Sequence, residues 1–224
     1  MSVFHATFPS VGFVGIAIAR TQSGHHVGFV YRNSEQLRLV HLAWHHILKD
    51  EAFNGHDCYL SASAEFEAAE AIALAGILAN VERSVGEVPY GIDWETADDC
   101  FSAKGELIPL PVGKGLTCTT FLDAVLRSNG YKVVDRDTWE PQAGDKEWGE
   151  GIIESLRSHE VDDAHVSAVR NDIGKIRLRP EQFAGAFAGA QERWPVSHPD
   201  ARQLGEIVLG TISEYLNDGS LAIL

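Results

Sequence analysis

The sequence is short of basic residues and of sulfur. Eighteen lysines and arginines stand against 32 acidic residues in 224, a formal charge of −14. A phosphate backbone or an anionic lipid surface would be repelled, which argues against a nucleic-acid-binding role. The three cysteines, Cys58, Cys100 and Cys118, are odd in number and share no CxxC spacing. They offer neither a disulfide framework nor a cysteine zinc cluster, and they fit a reducing compartment. The opening MSVFHATFPSVGF lacks the basic region and apolar run of a signal peptide, and no later stretch is long enough to span a bilayer. A soluble, cytoplasmic protein is the expectation, with export by a non-classical route left open. PVGKGLT (111–117) lacks the first glycine of a phosphate-cradling loop, and no internal repeat is present.

What is there begins with alternating β-branched, aromatic and small residues: VGFVGIAIA (11–19), HVGFVY (26–31) and LRLVHLAW (37–44), separated by turn-rich TQSGH and RNSE. This pattern predicts a three-stranded antiparallel meander. Alanine-rich helical spacing follows from residue 64 to 85. A loop-like stretch (89–115) holds a short strand at 106–110, and a helix runs from Cys118 to Ser128, ended by Asn129-Gly130. After Tyr131 come a strand-like KVVD and an acidic loop with Trp139 and Trp148. Helices are then predicted within 151–172, 180–194 and 201–218. A core over 1–135 with a helical extension over 136–224 is the expected organisation. The acidic runs at 94–99, 140–151 and 159–163 read as solvated faces, and His159, His165 and His198 read as surface residues.

Thr117 is a good N-cap, which places Cys118 at the first helical position, where unpaired N–H groups and the helix dipole stabilise a thiolate. A buried structural cysteine is the competing reading. A nucleophile needs a base and the base an orienting partner. If the RNSE turn is centred on Asn33 and Ser34, His26 lies directly opposite His41 on one sheet face. Cys58 and Cys100 have no activating context. HLAWHH (41–46) with nearby His56 raises a zinc site, but no four-ligand spacing completes it, so no metal and no cofactor is expected. Tyr90, Asp93 and Trp94 precede the cysteine in a loop, and Tyr90 and Trp94 are candidate substrate contacts.

His-Val-Gly-Phe-Val-Tyr (26–31), Val-His-Leu (40–42) and Thr-Cys-Thr-Thr-Phe-Leu (117–122) together resemble the circularly permuted NlpC/P60 group of papain-like proteins, which includes lecithin:retinol acyltransferase-like enzymes. The resemblance covers roughly residues 10–131. It implies an α+β, papain-like fold with the histidine strand before the cysteine helix. It also implies a thiol hydrolase (amidase or cysteine peptidase) in which Cys118 is nucleophile, His26 base and acid, and His41 the orienting third member. His25 fits less well, because the motif sets its histidine two residues before Gly28. The substrate would be a peptide, amide or other acyl compound. The alternatives are a lipid or protein acyltransferase, or an inactive papain-like module binding a protein partner through its acidic surface or C-terminal helices.

Overall fold

A computed structural model describes residues 4–5, 14–21, 24–53, 60–63, 66–98, 100–102, 105–188 and 191–217. Cys58 and His56 lie outside them. Six strands, β1 (Phe4–His5), β2 (Val14–Thr21), β3 (Gly24–Asn33), β4 (Gln36–Trp44), β5 (Ile47–Ala52) and β6 (Leu60–Ser63), form one antiparallel sheet in the order β1-β6-β2-β3-β4-β5. The described helices are α1 (Ala68–Val85), α2 (Cys118–Ser128), α3 (Asp145–Ser158), α4 (Asp163–Arg170), α5 (Pro180–Phe187) and α6 (His198–Asn217), with short 3-10 turns between some of them. The fold class is α+β.

Strand alternation divides the sheet's side chains between two faces. Ile16, Ile18, Val27, Phe29, Tyr31, Val40 and Leu42 are buried in the main core. Ala17, Ala19, Val30 and Leu39 form a smaller cluster with Leu37 and Phe53. Helix α2 packs on β3 and β4, α1 mainly on β3, and α5 on β2 and β3 with α6 behind it. Phe121 and Leu122 of α2 share the main core with Ile153, Leu156, Val166, Phe183, Val208 and Ile212 from beyond residue 135. The core is therefore continuous across that boundary, and truncating one fully buried aromatic such as Phe121 to alanine is worth about 3–5 kcal/mol.

The β3–β4 turn is centred on Ser34 and Glu35 rather than Asn33 and Ser34, with Ser34 at φ 55°, so that Asn33 pairs with Gln36 and Phe29 with Val40. The reason is a shared acid. Tyr31 and Arg38 oppose each other in this register, and both bind Asp50 of β5, the phenol at 2.7 Å and the guanidinium Nε at 2.8 Å. The correction moves every partner by two residues, an even number, so no side chain changes face. His26 is thus diagonal to His41, not directly opposite it, and still beside it.

The stretch 151–172 is not one helix. Glu160 adopts φ 56°, and Asp162 then caps α4 by accepting from the N–H groups of Ala164 and His165 at 3.0 and 3.1 Å. Helix α3 begins inside the supposed acidic loop, and Asp145 at its start is buried against Arg179 (2.8 Å) rather than solvated. The expected strands at 106–110 and around Val134 are only isolated bridges, Phe101 to Leu107 and Val134 to Val196. No helix of the described residues is long and apolar enough to cross a membrane.

Candidate active site

Local sequence sets the cysteine's position. Thr117 has extended backbone, its hydroxyl accepts from Thr120 N–H at 3.1 Å, and the Thr120 hydroxyl accepts from Thr117 N–H at 2.7 Å. This reciprocal cap starts α2 at Cys118. The segment before it pairs with the Tyr90 loop, Leu116 N–H donating to Pro89 carbonyl at 2.9 Å. The two backbones approach so closely that a Cβ on Gly115 would collide with Pro89 and Gly91, so only glycine fits there. Tyr90 is thereby held against the cleft into which Cys118 faces.

The histidines come from the sheet. His26 Nε2 lies 2.7 Å from His41 Nδ1, with the rings edge-on at 75°, and His41 Nε2 lies 3.2 Å from Glu51 Oε1. A Cβ on Gly28 would meet His41 Cβ at 2.7 Å, so glycine between the two strands is what lets them approach. A carboxylate only accepts, which assigns the protons: His41 Nε2–H donates to Glu51, and His26 Nε2–H donates to His41 Nδ1. His26 Nδ1 is left for the thiol. Burial, the neighbouring charge of His26 and Lys49 together outweigh Glu51 and hold His41 well below its usual pKa, so it remains a neutral acceptor.

Burial alone would push the Cys118 thiol up. The charge of His26, its hydrogen bond, the Val27 backbone N–H and the Thr119 hydroxyl outweigh that cost and hold the thiol below its ordinary value. At Cys100 burial outweighs a backbone hydrogen bond and the charge of Arg136, and pushes the thiol up to about 12. The chain Cys118–His26–His41–Glu51 thus combines a thiol held below its ordinary value with an imidazole whose tautomer and orientation are set from behind.

These groups line a cleft of about 620 Å³ together with Trp44, Lys49 and Tyr90, and with Trp148, Ser155 and Arg177 from beyond residue 135. Trp94 is not among them: it is buried beneath the Arg136 guanidinium, 5.0 Å from its ring centre, near Trp139. His25 turns to Glu181 of α5 at 3.6 Å. His45 stacks on His46 and accepts from Tyr90 N–H at 3.0 Å, and among the described residues no three His, Cys, Asp or Glu side chains group as metal ligands. The sequence does not mark Glu51: its place follows from the β4–β5 pairing, where Lys49 opposes His41 and the alternation of β5 sets Glu51 on the same face. Arg177 carried no local signal.

His165 and His198 are buried, contrary to a surface assignment. His198 accepts from Glu140 N–H at 3.2 Å and stacks on Trp139. Asp93 is also buried, salt-bridged to Lys114 and, at 3.1 Å, to Lys175.

No family model, no curated protein and no solved structure matches this chain.

Proposed function

We propose that the chain is a cysteine-dependent hydrolase, an amidase or peptidase of circularly permuted papain-like organisation, working through a thioester. The observation that carries this reading is the continuous contact from a depressed, helix-start thiol through His26 and His41 to Glu51. The Cys118 thiolate attacks the substrate carbonyl carbon, and the carbonyl electron pair moves onto oxygen, where the Cys118 backbone N–H at the helix start receives it. Collapse expels the leaving amine, which takes its proton from His26 Nδ1. His26 then removes a proton from water, the hydroxide adds to the thioester, and the thiolate leaves as the acid is released. Throughout, His41 and Glu51 keep the His26 ring in one orientation and tautomer.

The test is the pH profile of Cys118 alkylation by iodoacetamide in the full chain, mapped by mass. Modification of Cys118 at mildly acidic pH, abolished by His26→Ala, supports the reading. A profile that rises only near the free-thiol pKa of about 8.5 overturns it.

A further inference from the structure

Three cations alternate along Lys-Ile-Arg-Leu-Arg, residues 175–179, and two of them are paired. Lys175 Nζ lies 2.7 Å from Asp172 and 3.1 Å from Asp93. Arg179 holds Asp145 with Nη2 and Nε at 2.8 and 3.2 Å and the Ala143 carbonyl at 2.7 Å. Arg177, between them, makes no hydrogen bond and no salt bridge among the described residues. Its guanidinium carbon lies over Trp148, 3.9 Å from the ring centre, a cation–π contact that uses the face of the group rather than its N–H donors. The acids whose charge acts on it, Glu181 first and then Asp145, are engaged by His25 at 3.6 Å and by Arg179 at 2.8 Å.

Arg177 lines the same cleft as Cys118. Both act on the Tyr90 phenol, which burial raises, a Cys118 thiolate would raise further and Arg177 lowers. The described lining carries two permanent cations, Arg177 and Lys49. Glu51, engaged by His41, is its carboxylate. In a chain of net charge −14 the cleft is therefore locally cationic. A guanidinium fork with no hydrogen-bond partner among the described residues matches a carboxylate's two oxygens.

We infer that Arg177 is the specificity-determining residue of the cleft, receiving a carboxylate carried by the acyl substrate while Cys118 attacks the neighbouring carbonyl. This rests on the hydrolase reading. The carboxylate could be a peptide C-terminus or an acidic side chain, one chemistry from two sources.

The test compares Cys118 modification by iodoacetate, which carries a carboxylate, with that by neutral iodoacetamide, in the full-length protein. In Arg177→Gln the iodoacetate rate should fall about tenfold while the iodoacetamide rate holds, and Arg177→Lys should keep part of the preference, since it retains charge without the fork. An unchanged ratio in Arg177→Gln overturns the proposal while leaving the hydrolase reading intact. Absence of iodoacetamide reaction at mildly acidic pH would instead sink the hydrolase reading itself. Should Arg177→Gln fail to fold, protection of wild-type Cys118 decides: short glutamate peptides should slow iodoacetamide where amidated glutamine analogues do not, and equal protection overturns the proposal. Free against amidated C-termini then separates the two sources.

Discussion

His165 of α4 donates from Nε2 to the backbone carbonyl of Tyr90 at 2.9 Å, while its Nδ1 accepts from the Gly113 N–H at 3.2 Å. One buried imidazole from beyond residue 135 thereby ties down both the loop that presents Tyr90 and the turn that launches the Cys118 helix. A residue of the helical extension thus bears directly on the geometry of a site whose thiol and histidines lie before it.

The first prediction concerns that imidazole. His165→Ala leaves a buried carbonyl and a buried N–H without partners, each worth about 1–3 kcal/mol, so urea unfolding should shift to lower concentration by an amount well outside a surface substitution's effect. Cys118 alkylation should slow as well, because the Tyr90 loop and the cap lose their common anchor. Wild-type stability in His165→Ala would show that the two hydrogen bonds carry no net energy.

A second concerns the relay. Glu51 is half exposed, so its hold on His41 is screened. Glu51→Gln should slow Cys118 alkylation at neutral pH by about two- to tenfold, His41→Ala by more, and His26→Ala most of all. His25→Ala should leave the thiol close to wild type, since His25 faces Glu181. Equal loss from His25→Ala and His26→Ala in alkylation kinetics would remove His26 from its role.

The third concerns acid. His41 is held low by burial and by the neighbouring charge of His26, and His45 is pushed down to about 4 by burial and by the charges of His46 and His165. Both stay neutral in the folded chain at pH values where the unfolded chain already binds a proton at about 6.5. The unfolded state then binds more protons, so stability rises with pH and falls as pH drops from about 6.5 towards 4, at no more than about 1.4 kcal/mol per unit for a buried histidine such as His41. His45 loses its acceptor nitrogen for Tyr90 N–H on protonation. Denaturation followed across this window should show a shallower slope in His41→Asn with His45→Asn; an unaltered slope would assign the acid loss to other groups.

The fourth concerns the extension. Buried Asp93 receives Lys114, from the turn before α2, and Lys175, from beyond α4. Asp93→Ala should lower stability by about 1–3 kcal/mol, because both lysines are partly exposed and can rehydrate. A chain ending at Asp135 should fail to fold as a unit, since it removes Ile153, Leu156, Phe183 and Phe187 from the main core. A cooperative unfolding transition in that fragment would overturn this.

Local sequence sets those parts that depend on neighbours a few residues apart. The reciprocal Thr117–Thr120 cap starts α2 at Cys118, Asn129-Gly130 ends it, and strict alternation in β3 and β4 sorts their side chains between the faces, so His26 and His41 share a side even though the turn lies one residue later than its composition implies. The remaining features depend on groups far apart in the chain that folding brings together. Asp50 chose the hairpin register by taking both Tyr31 and Arg38. Glu51 entered the relay through a neighbouring strand, and Trp94 left the cleft to lie beneath Arg136. His165 and His198, set among charges in sequence, are buried because backbone N–H and C=O groups elsewhere needed partners. Arg177 stands apart for the same reason: whether a cation is paired is a property of which carboxylates the fold brings within reach, and spacing along the chain does not encode that distance.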